Sequence, residues 1–266
     1  MKNTKRILVI LAAVMLLALT IPVLASAATK SEVTLRIEGV TKNLFYGKVA
    51  LSESVVTVAD VIVKADEDNE SLTVVGADTG YISAVNGEAG GQFGGWDGWM
   101  YRVNGVEAAV GISEYTLKAG DEIVLFYGDP FGVGMQYPEI DLSDVEDGII
   151  RFTSVDTTYD IQWNPVETVN PVAGATVTFD GKTFTTDEKG EITVDEALLA
   201  EGEHKVAIEK YSENGIPLVL RFAPDFTVVI EDEPLLGDSG AEIYVIIAAA
   251  AVIAVIAIVK TRRVKA

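Results

Sequence analysis

Two uncharged apolar runs, one near each end, limit where this chain can build a globular fold. The first covers residues 7–19, behind the basic flank of Lys2, Lys5 and Arg6 and ahead of Pro22 and the small-residue triplet Ala25-Ser26-Ala27. That order has the form of a secretory signal peptide cleaved after Ala27, so residues 1–27 are expected to be removed. The second run, IYVIIAAAAVIAVIAIV at 243–259, holds no charge and is followed at once by Lys260, Arg262, Arg263 and Lys265. As a helix it would extend about 26 Å, close to the thickness of a hydrocarbon core. The run is therefore expected to be a single transmembrane helix. By the positive-inside rule, the basic tail 260–266 would be cytoplasmic and the remainder extracellular.

The charge lies between the runs. With seven of the 20 Lys and Arg at the two ends, 13 stand against 40 acidic residues, a formal charge of about −27. Such a field repels polyanions, which excludes nucleic acid as a partner. The chain has no cysteine, so it has neither disulfide staples nor thiol chemistry. Stability must come from packed cores, and the middle of the chain is long enough for two small domains.

The first domain is read over 31–128. VTLRI (33–37) alternates apolar and polar as a half-buried strand does, whereas TVADVIVKA (57–65) changes to a helical period that places Val58, Val61, Ile62 and Ala65 on one face. Thr57 with Asp60 fits a helix-start signal in which a side-chain oxygen caps an orphan N–H. LTVV, GYISAV and WMYRV resume the strand pattern. Asn86-Gly87 and Asn104-Gly105 suit type I′ turns, and EIVLFY (122–127) reads as a buried strand. A strand pair, one short helix and further strands make the layout of a β-grasp domain.

Residues 129–148 are rich in turn formers and acids and read as a linker or an edge crossing. From 149 to 231, short alternating runs recur at regular spacing with turns such as Asp180-Gly181 between them, the pattern of a β-sandwich. Residues 232–242 would form a juxtamembrane linker. The expected fold is thus mainly β, a β-grasp domain followed by an immunoglobulin-like sandwich and one C-terminal transmembrane helix.

VTVADVIVKA, GWMYRVNG and YTLKAGDEIVLFYG together resemble the bacterial domain family similar to the C-terminal domain of transcobalamin and intrinsic factor, within the soluble-ligand-binding β-grasp group. PVAGATVTFDGKTFTTDEKGEITV resembles immunoglobulin-like domains related to carboxypeptidase regulatory regions, which serve as spacers or presenters. The first resemblance implies capture of a corrinoid or another small flat ligand, with a transporter or co-receptor as partner and no resident cofactor. In the vitamin B12 carriers a helical barrel grips the other face of the corrinoid, and this chain has none.

The stretch GGQFGGWDGWMYRVNG (90–105) packs six glycines and four large aromatics into sixteen residues. Glycine permits close backbone approach, and aromatics supply flat contact area. Trp99, Tyr101 and Val103 alternate along one strand and read as core against Ile62 and Leu125. Phe93 and Trp96 lie in a glycine-rich loop with no period. With Gly94, Gly95 and Asp97 they form the candidate binding surface, for a small flat ligand or, alternatively, for a protein or a glycan.

Other clusters carry less. An EF-hand starting at Asp66 would need Gly where Ser71 stands and Glu where Ala77 stands, so DEDNE (66–70) is read as a solvated helix end. His204 is the only histidine, which excludes a multi-histidine zinc site, and it is expected to be exposed. No catalytic or metal residue is assigned, and a non-catalytic protein is expected. EPLLGDSG (233–240) resembles the L-P-x-T-G wall-sorting tail of Gram-positive-type surface proteins. Glu233 and Leu236 replace two of its determinants, so the tail is expected to stay in the cell membrane rather than be joined to the wall.

Overall fold

The computed structural model describes residues 31–131, 134–230, 244–248 and 256–258. The expected signal peptide (1–27), the sorting-like segment (233–240) and the basic tail (260–266) lie outside the described residues.

A five-stranded mixed sheet dominates the N-terminal part. Its strands are β1 (Glu32–Glu38), β2 (Asn43–Ala50), β6 (Gly98–Val103), β7 (Val106–Glu107) and β8 (Glu122–Gly128), in the order β2-β1-β8-β6-β7. Neighbours are antiparallel except β1 and β8, which run parallel. Three two-residue strands, β3 (Val74–Val75), β4 (Ala84–Val85) and β5 (Glu88–Ala89), make a small separate sheet. Asn86-Gly87 and Asn104-Gly105 both take positive φ, as their turns require.

One α-helix, α1 (Val58–Asp68), packs on one face of the large sheet. Its N-terminus carries the full capping box: the Asp60 amide donates to Thr57 Oγ1 at 3.2 Å, and the Thr57 amide donates to Asp60 Oδ2 at 2.9 Å. The buried Val58, Ala59, Val61, Ile62 and Ala65 meet Val33, Leu35 and Ile37 of β1 and Ile123 and Leu125 of β8.

The unbroken apolar run of β8 is explained by what lies on its other face. There Val124 and Phe126 pack with Leu220, Met100, Met135 and Tyr137, all but Met100 from beyond the sheet. The same back face of β1 carries two charges, Arg36 and Glu38, both buried. Arg221 meets them with Nε 3.0 Å from Glu38 Oε2 and Nη2 2.6 Å from the Gly39 carbonyl. Its Nη1 lies 3.1 Å from the Val40 carbonyl and 3.2 Å from the Tyr211 hydroxyl. Arg36 in turn donates to the carbonyl of Arg221 at 2.6 Å.

The C-terminal part has its own core between two sheets. One is built around β10 (Ile149–Tyr159), which pairs with β9 (Pro138–Asp141), β11 (Pro165–Pro171) and β14 (Glu191–Thr193). The other contains β12 (Thr176–Phe179), β13 (Lys182–Thr185), β15 (Gly202–Glu209) and β16 (Thr227–Ile230). Ile150, Phe152 and Ile192 from the first sheet close on Val177, Phe179, Val206, Ile208 and Val228 from the second. Part of the segment read as a linker is therefore strand: β9 pairs with β10, and Gln136 bridges to Val219.

Two expectations need correction. Among the described residues no helix is long and apolar enough to cross a membrane. Within 243–259, Tyr244–Ala248 and Ile256–Ile258 are strands β17 and β18, paired with each other, and β17 also pairs with β16. An apolar run without period fits a strand as well as a helix, and Val and Ile favour the strand. The expected transmembrane helix thus gives way to paired strands. The single-pass placement in the cell membrane, the extracellular and cytoplasmic assignments and the membrane as a spanned partner all rested on that helix and are withdrawn with it.

His204 is the second correction, because it is buried. It stacks on Phe179 at 5.1 Å, with Nδ1 2.7 Å from Asp180 Oδ2 and Nε2 2.7 Å from the Ala200 carbonyl. A strand position between two charged neighbours reads as exposed, but alternation puts the ring on the inner face.

Arg221→Ala removes the guanidinium from Glu38 Oε2 and from the Gly39 and Val40 carbonyls, while Arg36 and Asn43 stay on Glu38 Oε1. We expect a loss of about 1–3 kcal/mol, as for leaving buried acceptors unpaired, read as a lower urea midpoint.

Candidate functional site

The site is the glycine-rich loop between β5 and β6, together with the turn after β8. Gly91 and Gly94 take positive φ (76° and 84°), and the Gly94 amide donates to the Gly91 carbonyl at 3.0 Å to close a tight turn. Asp97 holds that turn from inside. It is 3% exposed, and it accepts from the Phe93 amide at 3.2 Å, the Gly95 amide at 3.1 Å and the Tyr127 hydroxyl. Its carbonyl accepts from the Gly91 amide at 2.7 Å.

Burial works against the charge on Asp97 and pushes its carboxyl upward. The bonds from Tyr127, Phe93 and Gly95 outweigh it, holding the group below the usual carboxylate range. Tyr127 moves the other way: burial first, then the Asp97 carboxylate, hold its phenol well above the usual range. Tyr127 therefore stays a neutral donor and Asp97 an anionic acceptor.

Aromatic rings divide into two sets. Phe93 and Trp99 both stand edge-on to Tyr127, at 6.0 and 5.4 Å between centroids. The Trp99 indole N–H donates to the Glu88 carbonyl at 3.0 Å. Phe93 also lies against the turn at Gly215, where an added Cβ would come 3.4 Å from its ring. Tyr101 donates to the Val110 carbonyl at 2.6 Å and, like Trp99, is partly buried against the helix-side core. These rings hold the loop in place.

Trp96 and Phe131 form the second set. Each is 78% exposed, and they meet edge to face at 6.1 Å and 78°. The Phe131 amide donates to Asp129 Oδ1 at 3.0 Å, which fixes the turn that carries it. A Cβ at Gly94 would meet nothing within 4 Å, so the backbone beside the pair is open to a partner.

Of the five residues singled out in the sequence, only Trp96, Gly94 and Gly95 face outward. Phe93 is half-buried, and Asp97 spends both oxygens within the loop. Perpendicular exposed rings do not form a slot for a planar molecule. Capture of a corrinoid or other small flat ligand by a membrane-anchored protein, with a transporter beside it, is accordingly not carried forward. Phe131 was missed because it lies in the segment read as a linker. Its signal was an aromatic in the turn sequence Asp129-Pro130-Phe131-Gly132.

Among the described residues no group of three or more His, Asp or Glu could hold a metal ion. Both ring nitrogens of His204 face oxygen acceptors, so neither is available as a general base.

Residues 54–129 match the profile of a family described as a domain of unknown function (DUF4430). The DUF4430 stretch takes in α1, the whole glycine-rich loop and β8, and it ends just before Phe131. No curated protein matches the chain.

Asp97→Asn keeps the shape and removes the charge. We expect a loss of about 1–3 kcal/mol at pH 7. The folded value of Asp97 lies below the unfolded one, so its contribution is complete above the unfolded range near pH 4 and is lost as pH falls through the folded value. Thermal melts from pH 7 to pH 2 should therefore show a shallower acid loss in the variant than in the wild type.

Proposed function

We propose that this chain is a non-catalytic, adhesive binding protein that engages another macromolecule, a protein or a glycan, through Trp96 and Phe131. The observation that carries this reading is the exposed edge-to-face pair of Trp96, on the loop locked by buried Asp97, and Phe131, on the turn after β8 fixed by Asp129. Exposed large aromatics on a fixed loop are costly to solvate and supply rigid contact area with little rotamer entropy to lose. Aromatic anchors of this kind dominate partner affinity.

Further support comes from the division of roles within the loop. Its polar groups are directed inward to one another, which leaves an apolar tip and bare glycine backbone for the partner. The resemblance of 31–128 to ligand-binding β-grasp domains favours binding over catalysis in the same way. The sole histidine, engaged on both sides, offers no proton shuttle.

The test is retention of the full-length chain on immobilised polysaccharides and surface proteins. Trp96→Ala with Phe131→Ala should fold as the wild type does, because both side chains stand in solvent. Its affinity for any retained partner should fall by about 2 kcal/mol or more. Phe93→Ala should instead lower stability. Unchanged retention of the double variant would sink the reading.

A further inference from the structure

A second apolar feature lies far along the chain from the DUF4430 stretch. β10 and β11 pair from Thr153↔Pro171 out to Tyr159↔Pro165. Along the outer part of this hairpin, 156–158 and 165–169 are exposed on both faces, so it forms an arm with no core beneath it. Its tip is nevertheless ordered. Asp160 accepts from the amides of Gln162 (2.8 Å) and Asn164 (2.9 Å) and from Asn164 Nδ2 (3.0 Å). This tip presents Ile161, 92% exposed, and Trp163, 82% exposed. Trp163 sits at φ 63°, a left-handed conformation that costs a bulky residue energy. Val166 and Val169 extend the apolar surface along β11.

The arm is also one-signed. Asp156, Asp160 and Glu167 are its charges, and no Lys or Arg occurs from 152 to 181. An anionic bilayer would repel it. A suitable receptor is an apolar recess with a cationic rim.

One such recess lies at the seam between the two parts of the fold. A cleft of 370 Å³ opens between the β1–β2 turn, the outer face of β12 and β15, and residues 221–224 with Phe226. Phe222 and Phe226, stacked at 4.3 Å and 12°, contribute its aromatic surface. Lys42 and Lys205 stand exposed on its lining, with no ion-pair partner among the described residues. The one carboxylate there, Glu38, is consumed by Arg36, Arg221 and Asn43. In a chain of net charge −20, this leaves two free cations beside an apolar recess. The recess is large enough for an indole and a branched aliphatic side chain together.

We propose that the arm of one copy docks in the cleft of a second copy, with Ile161 and Trp163 against Phe222 and Phe226 and the arm's carboxylates against Lys42 and Lys205. Donor and receptor patches differ, so the contact is heterologous and assembly proceeds head to tail. This goes beyond the binding role of Trp96 and Phe131 and uses none of those residues.

Sedimentation velocity of the full-length chain tests it at about 150 mM salt, where distant charges are screened and contact pairs much less so. Wild type should form species that grow with concentration. Ile161→Ala with Trp163→Ala, and separately Lys42→Glu with Lys205→Glu, should each weaken growth about tenfold or more. Both replace exposed side chains, so thermal unfolding should stay as in the wild type. Mixing the two variants should yield a one-to-one pair that grows no further, since only one arm and one cleft remain intact. Adding Asp156→Lys and Glu167→Lys to the Lys42→Glu, Lys205→Glu chain should restore growth. A single species at every wild-type concentration, or variants that assemble as the wild type does, would overturn the proposal. So would wild-type uptake by phosphatidylcholine vesicles that is lost in the tip variant, because the tip would then serve a lipid surface.

Discussion

Arg221 is the pivot of the molecule. A guanidinium carries five donors in a rigid plane, and burying it is tolerable only if nearly all find acceptors. Here the acceptors are Glu38 and the Gly39 and Val40 carbonyls on one side and the Tyr211 hydroxyl on the other. Because Glu38 lies on the face of β1 opposite the helix, the arginine ties the back of the N-terminal sheet to the C-terminal part. The apolar contact of Phe126 with Leu220 continues that seam. The N-terminal sheet is therefore a middle layer, with α1 on one side and the described C-terminal part on the other. The loop inherits its position from this arrangement, since Phe93 reaches across to the turn at Gly215.

Within the loop, opposite electrostatic requirements are met by adjacent residues. Asp97 is buried and keeps its charge because three donors converge on it, whereas its neighbour Trp96 is apolar and stands in water. Neither arrangement favours stability when considered alone. Together with the Phe93, Tyr127 and Trp99 rings packed beneath the loop, they hold a hydrophobic tip in one conformation. That lowers the ordering cost of any contact made there.

Legibility from sequence followed the range of the interaction. The Thr57–Asp60 capping box, the two Asn-Gly turns and the strand at 122–127 are local patterns, and each is found where it was read. Trp99 and Tyr101 were readable as inward-facing because alternation is local too. By contrast, Arg221 lies 183 residues from Glu38, and nothing in either neighbourhood announces the other. Asp97 looked like a ligand group because its partner Tyr127 is 30 residues away. The run at 243–259 misled for a different reason. Hydropathy without period identifies burial but not conformation.

The parallel pairing of β1 with β8 has a consequence for how the chain is made. Antiparallel neighbours can zip up from a hairpin as soon as they appear, but β1 and β8 are separated by α1 and six other strands. At about 5–20 residues per second, a ribosome takes on the order of ten seconds to deliver β8 after β1 has emerged. Through that interval β1 can pair only with β2, and Val33, Leu35 and Ile37 have no sheet partner on their other edge. Glu38 waits longer still for Arg221. The sheet at the centre of the fold is thus completed late in synthesis, and its N-terminal hairpin is the segment most in need of protection while the chain is unfinished.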